Sequence, residues 1–190
     1  MTASGSIPGP TMDGDWRARV AAEPLDVVDQ HNRVIFVAAR GEIHRLGLRH
    51  RAVHVLIEDG AGRLYLQQRA LHKDCEPGRW DTSAAGHLDS GEDYFPAACR
   101  ELAEELALED VELELIGELP AMEETGREFV QVFRGRTALQ PRPLPAEIMA
   151  GGWWTPQAIA AWMADSPQDF TATFRIIFAR YCQAPEQERS

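Results

Sequence analysis

Three glutamates crowd one short stretch of the chain, CRELAEEL at residues 99–106. If the stretch is helical, Glu104 and Glu105 flank Glu101 within an arc of roughly 100°. Each ionised pair three or four residues apart costs roughly 0.2–0.5 kcal/mol, and the chain already carries a formal charge of −11. A glutamate-rich face on a surface helix is ordinarily only solvated, because Glu is a strong helix former. Three converging carboxylates also make a hard oxygen site suited to Mg²⁺ or Mn²⁺. A cation there would neutralise the oxygens of a diphosphate, orient a water and lower its pKa.

The elements around this stretch must hold it in place. Asp93 suits an N-cap, and Pro96 falls in the first turn, where its missing N–H matters least. Tyr94, Ala98, Leu102 and Leu106 are spaced by four and form a buried stripe, with the carboxylate arc lying largely away from it. Upstream, residues 25–29 and 33–39 read as a hairpin, 50–59 as a central apolar strand, and 63–69 as its hairpin partner. Residues 72–80 read as a loop turning at Pro77-Gly78, and DTSAAGH (81–87) as a short strand leading into Gly86. Downstream come strands at 111–119 and 127–135, a Pro-rich connector at 141–147, a short strand near 148–155, and helices near 156–164 and 167–182. The fold class is α/β (α+β), a mixed β-sheet sandwiched between helices.

Composition narrows the function. The chain of 190 residues suits one domain, with 44% hydrophobic residues to build its core. Residues 1–20 are expected to be a disordered N-terminal segment, 21–184 the domain, and 185–190 a disordered tail. The N-terminus lacks the basic start and apolar run of a signal peptide, and no stretch approaches the roughly 20 apolar residues that span a bilayer. Cys75, Cys99 and Cys182 are odd in number and contain no CxxC pair, which points to the reducing cytoplasm. The negative charge argues against a nucleic-acid polymer as partner. It does not exclude a small phosphorylated ligand bridged by divalent cations. The N-terminal hairpin offers a surface for a possible homodimer.

Read outward from the glutamates, the sequence is GHLDSGEDYFPAACRELAEELAL, residues 86–108. This resembles the signature of the Nudix hydrolases: Gly, five residues, Glu, seven residues, Arg-Glu-apolar, one residue, Glu-Glu, one residue, Gly, apolar. One position departs, since Ala107 stands where the pattern has its closing Gly, so the helix is expected to end differently or to continue a turn. The resemblance implies a Nudix fold and Mg²⁺-dependent cleavage of a diphosphate linkage, with Mn²⁺ as an alternative ion. It implies that Glu101, Glu104 and Glu105 are metal ligands, joined by the Gly86 carbonyl. Arg100 would orient a neighbouring glutamate, and Glu92 would pair with Arg100 as the structural brace. The substrate is expected to be a nucleoside di- or triphosphate, or a nucleoside diphosphate linked to another moiety.

A second resemblance covers roughly residues 25–170. LRHRAVHV and QQRALHKDCEPGRWDTSAAGH are similar to the branch that contains isopentenyl-diphosphate isomerase. It implies substrate contacts for Lys73, Arg69, His87 and His50. His50, His87 and His44 fall near positions of the isomerase's His/Glu metal site, and Glu128 resembles its acidic proton donor. The isomerase's catalytic cysteine, just before Gly-His, is replaced by Ala85. Moving protons on opposite faces of an alkene needs two groups, so hydrolysis is the preferred reading. Isomerase activity and a non-catalytic diphosphate-binding module are the alternatives. Glu104, Glu101, Glu128 and Glu147 are all candidates for the base of hydrolysis. His50, His54 and His87 can equally be structural histidines, and Trp80, Trp153 and Trp154 read as core or rim rather than a stacking platform.

Overall fold

The structure, a computed structural model, describes residues 14–183. The expected disorder of residues 1–13 and of the tail at 185–190 lies outside the described residues. Residues 14–20, expected to be disordered, instead belong to helix α1, Gly14–Ala22.

Strands β1 (Pro24–Val28) and β2 (Val34–Ala39) form a separate antiparallel hairpin, followed by helix α2, Arg40–Leu46. β1 is buried from Leu25 onward, whereas Val34, Ile35, Phe36 and Val37 of β2 are exposed, and among the described residues β2 pairs with β1 alone. Helix α2 has no counterpart in the sequence reading. Its seven residues are too short to show a period, and only Ile43 is buried.

The main sheet is built on β3 (His50–Glu58), which pairs in parallel with β8 (Glu128–Arg136), His50 facing Glu128 across the ladder. Around them lie β4 (Leu64–Arg69), β5 (Trp80–Asp81), β6 (Ala84–His87), β7 (Leu113–Leu119) and β9 (Ile148–Trp154). The order is β5-β4-β3-β8-β7, with β6 also paired to β3 and β9 to β4.

Side chains alternate across a strand, and β3 uses this to serve two layers. Val53, Val55 and Ile57 pack with Ala97, Ala98, Leu102 and Leu106 of helix α3, Tyr94–Leu106. Ala52 and Leu56 pack on the other face with Ile159 of helix α4 (Pro156–Asp165) and Phe174, Ile177 and Phe178 of helix α5 (Ala172–Gln183). Full burial of each such large side chain contributes roughly 1.5–3 kcal/mol. This is the expected sandwich.

The helix expected over 167–182 is broken. Pro167–Asp169 make a 3₁₀ turn, and extended Phe170 bridges to Trp80 before α5 starts at Ala172. Phe170 is fully buried, and its packing sets the break. Trp162 packs on its ring, and Trp80 and Trp154 pack against Trp162 as the rim of the core.

The end of α3 resolves the Ala107 question. Ala107 sits in the left-handed region, at φ 52° and ψ 39°, and its N–H donates to Ala103 O while that of Leu108 donates to Leu102 O. The helix therefore stops where a glycine would stop it. Asp93 is the N-cap by position, although its side chain makes no capping hydrogen bond.

Candidate active site

One face of α3 meets the end of β6, and the meeting point is Gly86. A Cβ on Gly86 would overlap the Glu101 carboxylate, so only glycine lets that side chain lie against the strand. Glu105, one turn further along, is buried and accepts from the Ala85 N–H at 3.1 Å and from Gln67 Nε2 at 2.9 Å. Burial and the Glu105 carboxylate push Glu101 up to about 7, and burial likewise pushes Glu105 up. Two buried carboxylates that resist ionisation side by side are the situation a divalent cation relieves. Glu104 lies at the outer rim, with 58% of its side chain exposed.

Arg100 ties this group together. Its Nε and Nη2 donate to the two oxygens of Glu92 at 3.1 and 2.8 Å, a bidentate pair. Nη1 donates to Glu101 at 2.7 Å and to Glu104 at 3.3 Å, and Nη2 also reaches the His87 carbonyl at 2.9 Å. Glu92 in turn accepts from the Asp89 N–H at 3.0 Å. Burial opposes ionisation of Glu92, but the Arg100 hydrogen bond, the Asp89 N–H and the Arg100 charge together outweigh it and lower the carboxyl. Glu92 thus stands behind Arg100 as a brace and does not line the cavity.

That cavity, of about 840 Å³, is lined by Arg69, Lys73, Gly86, Arg100, Glu101 and Glu105, together with other residues named here. Lys73 Nζ is paired with Glu147, and burial pushes its amine down. Arg69 donates to the Cys75 carbonyl at 3.1 Å and lies 3.5 Å from Asp81. Both basic residues face the space where the α3 carboxylates gather.

A second cluster lies where β3, β6 and β8 come together with α2. Ligating atoms of His44, His50, His87 and Glu128 all fall within 4.8 Å of one another. His87 Nε2 is 3.1 Å from Glu128 Oε1, and His50 Nε2 is 3.4 Å from the same oxygen. Burial pushes His87 down to about 3, so its ring is neutral. Burial opposes ionisation of Glu128, but the His87 and His50 rings outweigh it and hold the carboxyl well below its usual range. His50 Nε2 is buried and makes no hydrogen bond. The neutral His87 ring, two further imidazoles, an ionised carboxylate and a buried ring nitrogen without a hydrogen bond together are the donor set of a cation site.

The site residues named from sequence therefore fall into two adjoining groups. Glu101, Glu104, Glu105, Arg100 and Gly86 form one, with Arg69 and Lys73 facing it. His44, His50, His87 and Glu128 form the other. Sequence reasoning missed Gln67 and Asp74. Neither carried a clear signal, since Gln67 opens the polar half of strand LYLQQR and Asp74 lies in a loop.

Comparison with known proteins gives the family and the fold. The NUDIX domain family matches residues 48–174. An uncharacterized Nudix hydrolase of Yersinia pestis is 37% identical over 143 residues, covering 73% of this chain and 76% of that protein. An isopentenyl-diphosphate Delta-isomerase of Burkholderia multivorans is 34% identical over 162 residues, 83% of this chain and 92% of its own. Among solved structures, DR0079 from Deinococcus radiodurans superposes with a TM-score of 0.68 at 28% identity, covering 75% of this chain and 90% of that one. The MutT protein of Methanosarcina mazei shares the fold, with a TM-score of 0.60 at 20% identity, over 70% of this chain and 91% of that one.

The fold and site define a hydrolase of phosphorus acid anhydrides. The chain belongs to the Nudix family, in a branch near isopentenyl-diphosphate isomerase. Among the described residues, no helix is long and apolar enough to cross a membrane.

Proposed function

We propose that the protein is a divalent-cation-dependent pyrophosphohydrolase that cleaves the diphosphate linkage of a nucleoside di- or triphosphate, or of a nucleoside diphosphate joined to another moiety. The observation that carries this reading is Glu101 seated against Gly86 beside buried Glu105, in a cavity also lined by Arg69 and Lys73. Glu101, Glu104 and Glu105, with the Gly86 carbonyl, would hold Mg²⁺ or Mn²⁺. The all-oxygen donor set fits these hard ions. When bound, such an ion supplies charge neutralisation of the phosphates and a more acidic water.

The chain's own residues do the rest. Arg100 fixes the orientation of Glu101, and Glu92 fixes Arg100. Arg69 and Lys73 supply positive charge for the phosphates. Of the four candidate bases, Glu147 is paired with Lys73, Glu128 with His87, and Glu101 with Arg100 at close range. Glu104 has the loosest contact and the most exposed carboxylate, and in our reading it takes the proton of the attacking water. The water oxygen then bonds to one phosphorus, and the bridging P–O bond breaks with its electron pair going to the leaving phosphate.

The His/Glu cluster favours a second reading, isopentenyl-diphosphate isomerase chemistry with Glu128 as proton donor. Ala85 counts against it, because no acid or base stands where that reaction's cysteine would be. Under the hydrolase reading the cluster is a second cation site. A panel of nucleotides and nucleotide-linked diphosphates with Mg²⁺ and Mn²⁺ separates the two. Hydrolysis releases phosphate or nucleoside monophosphate, whereas isomerisation of isopentenyl diphosphate gives the allylic isomer and no phosphate.

A further inference from the structure

We infer that Asp74 is a positioning residue that fixes His44 for a cation in the imidazole cluster. The inference rests on reading His44, His50, His87 and Glu128 as a cation site, and it assigns a role to a residue outside that set.

Asp74 lies in the loop between β4 and β5, far in sequence from His44 on α2. Its Oδ2 is 2.8 Å from His44 Nδ1. Its Oδ1 accepts from Arg40 Nη2 at 3.1 Å and from the Cys75 N–H at 3.1 Å. The carboxylate is therefore held at both ends, and only Oδ2 is turned to the imidazole. An ionised carboxylate is solely an acceptor, so His44 must carry its proton on Nδ1. That leaves Nε2 as the nitrogen with a free lone pair.

His50 shows the same device built from backbone. Its Nδ1 lies 3.0 Å from the Leu48 carbonyl, which can only accept, so the Nδ1 proton is fixed and Nε2 is the basic nitrogen. The two rings lie 5.3 Å apart, and His44 is 5.0 Å from His87. Metal-binding histidines commonly have the second nitrogen committed to a carboxylate or carbonyl, which sets both tautomer and ring orientation. Here Leu48 would do this for His50 and Asp74 for His44. Asp74 also joins the cluster to the loop that carries Lys73, so the two halves of the cavity share one support.

The test uses Co²⁺ as a spectroscopic probe on the full chain, with Glu101→Gln, Glu104→Gln and Glu105→Gln introduced to silence the α3 carboxylates. In that background we expect a visible absorption band of imidazole-bound Co²⁺. Asp74→Ala should weaken Co²⁺ binding on the order of 10- to 100-fold, and Asp74→Glu should recover most of it. If Asp74→Ala fails to fold, Asp74→Leu, which likewise removes the acceptor, gives the same comparison. Long-range ¹H–¹⁵N spectra of the wild-type protein should show His44 protonated at Nδ1. Unchanged Co²⁺ affinity in Asp74→Ala, or a His44 proton on Nε2, overturns the inference. Absence of the imidazole band before Asp74 is altered overturns both the inference and the second cation site. The α3 reading is separate, because Mg²⁺-dependent hydrolysis by the wild-type protein does not enter this comparison.

Discussion

Glu101 fills the space that a side chain at position 86 would need. This relationship joins helix α3 to strand β6, and it explains why a glycine stands fifteen residues before the first of the crowded glutamates. Gly86→Ala must displace the carboxylate or the strand. Since misplacement by about 1 Å can cost on the order of 100-fold in rate, turnover of the best panel substrate should fall by about that factor. Steady-state kinetics and a thermal melt check this together. Near-wild-type activity in a folded Gly86→Ala protein is the outcome that defeats it.

Ala107 holds a left-handed backbone that glycine adopts without strain. Ala107→Gly should therefore stabilise the protein by about 1 kcal/mol, or roughly 2–4 °C in Tm for a domain of this size. Activity should be unaffected, because the site carboxylates precede this position. Scanning calorimetry decides it, and a lowered Tm would show that the strain is offset elsewhere.

The crowded carboxylates predict how stability follows pH. Glu101 has its folded pKa raised to about 7 from 4.5, so the folded protein holds this proton more tightly than the unfolded chain does. Below 4.5 both states are protonated and the group contributes no difference. As pH rises from 4.5 towards 7 the unfolded chain ionises first, and metal-free stability is lost through that window. A cation competes with the same proton, so Mg²⁺ should raise Tm more at pH 8 than at pH 6. Glu101→Gln should flatten both trends. A Mg²⁺ effect that is independent of pH in the wild type contradicts the assignment.

Arg100→Lys keeps the charge but loses the fork that spans Glu92, Glu101 and the His87 carbonyl. Calorimetric titration should show Mg²⁺ affinity reduced by on the order of 10-fold or more. An unaltered affinity would mean that Arg100 serves only as a counter-charge.

Much of this site is legible in the sequence because it is local. Residues 86–108 place a glycine, a helix N-terminus and four functional side chains within one strand–loop–helix unit, and helical spacing alone puts Glu101, Glu104 and Glu105 together. The sheet is legible from period-two alternation, as in β3. What the sequence hides are contacts made across the fold. Lys73 meets Glu147 over a separation of 74 residues, and Gln67 meets Glu105 over 38. Asp74 reaches His44 from a loop with no periodic pattern. Helix α2 escapes for a related reason, since seven residues are too few to establish a helical period.

The central claim is that the α3 carboxylates carry Mg²⁺-dependent hydrolysis of a diphosphate. Its most direct test compares wild-type protein with Glu104→Gln and Glu105→Gln on the best substrate of the panel, at saturating Mg²⁺, measuring released phosphate and nucleoside monophosphate. The account predicts robust turnover by the wild type and loss of at least about 100-fold in each variant, with circular dichroism showing the fold intact. Retained hydrolysis in folded variants would contradict it, as would a wild-type protein that isomerises isopentenyl diphosphate and releases no phosphate from any substrate.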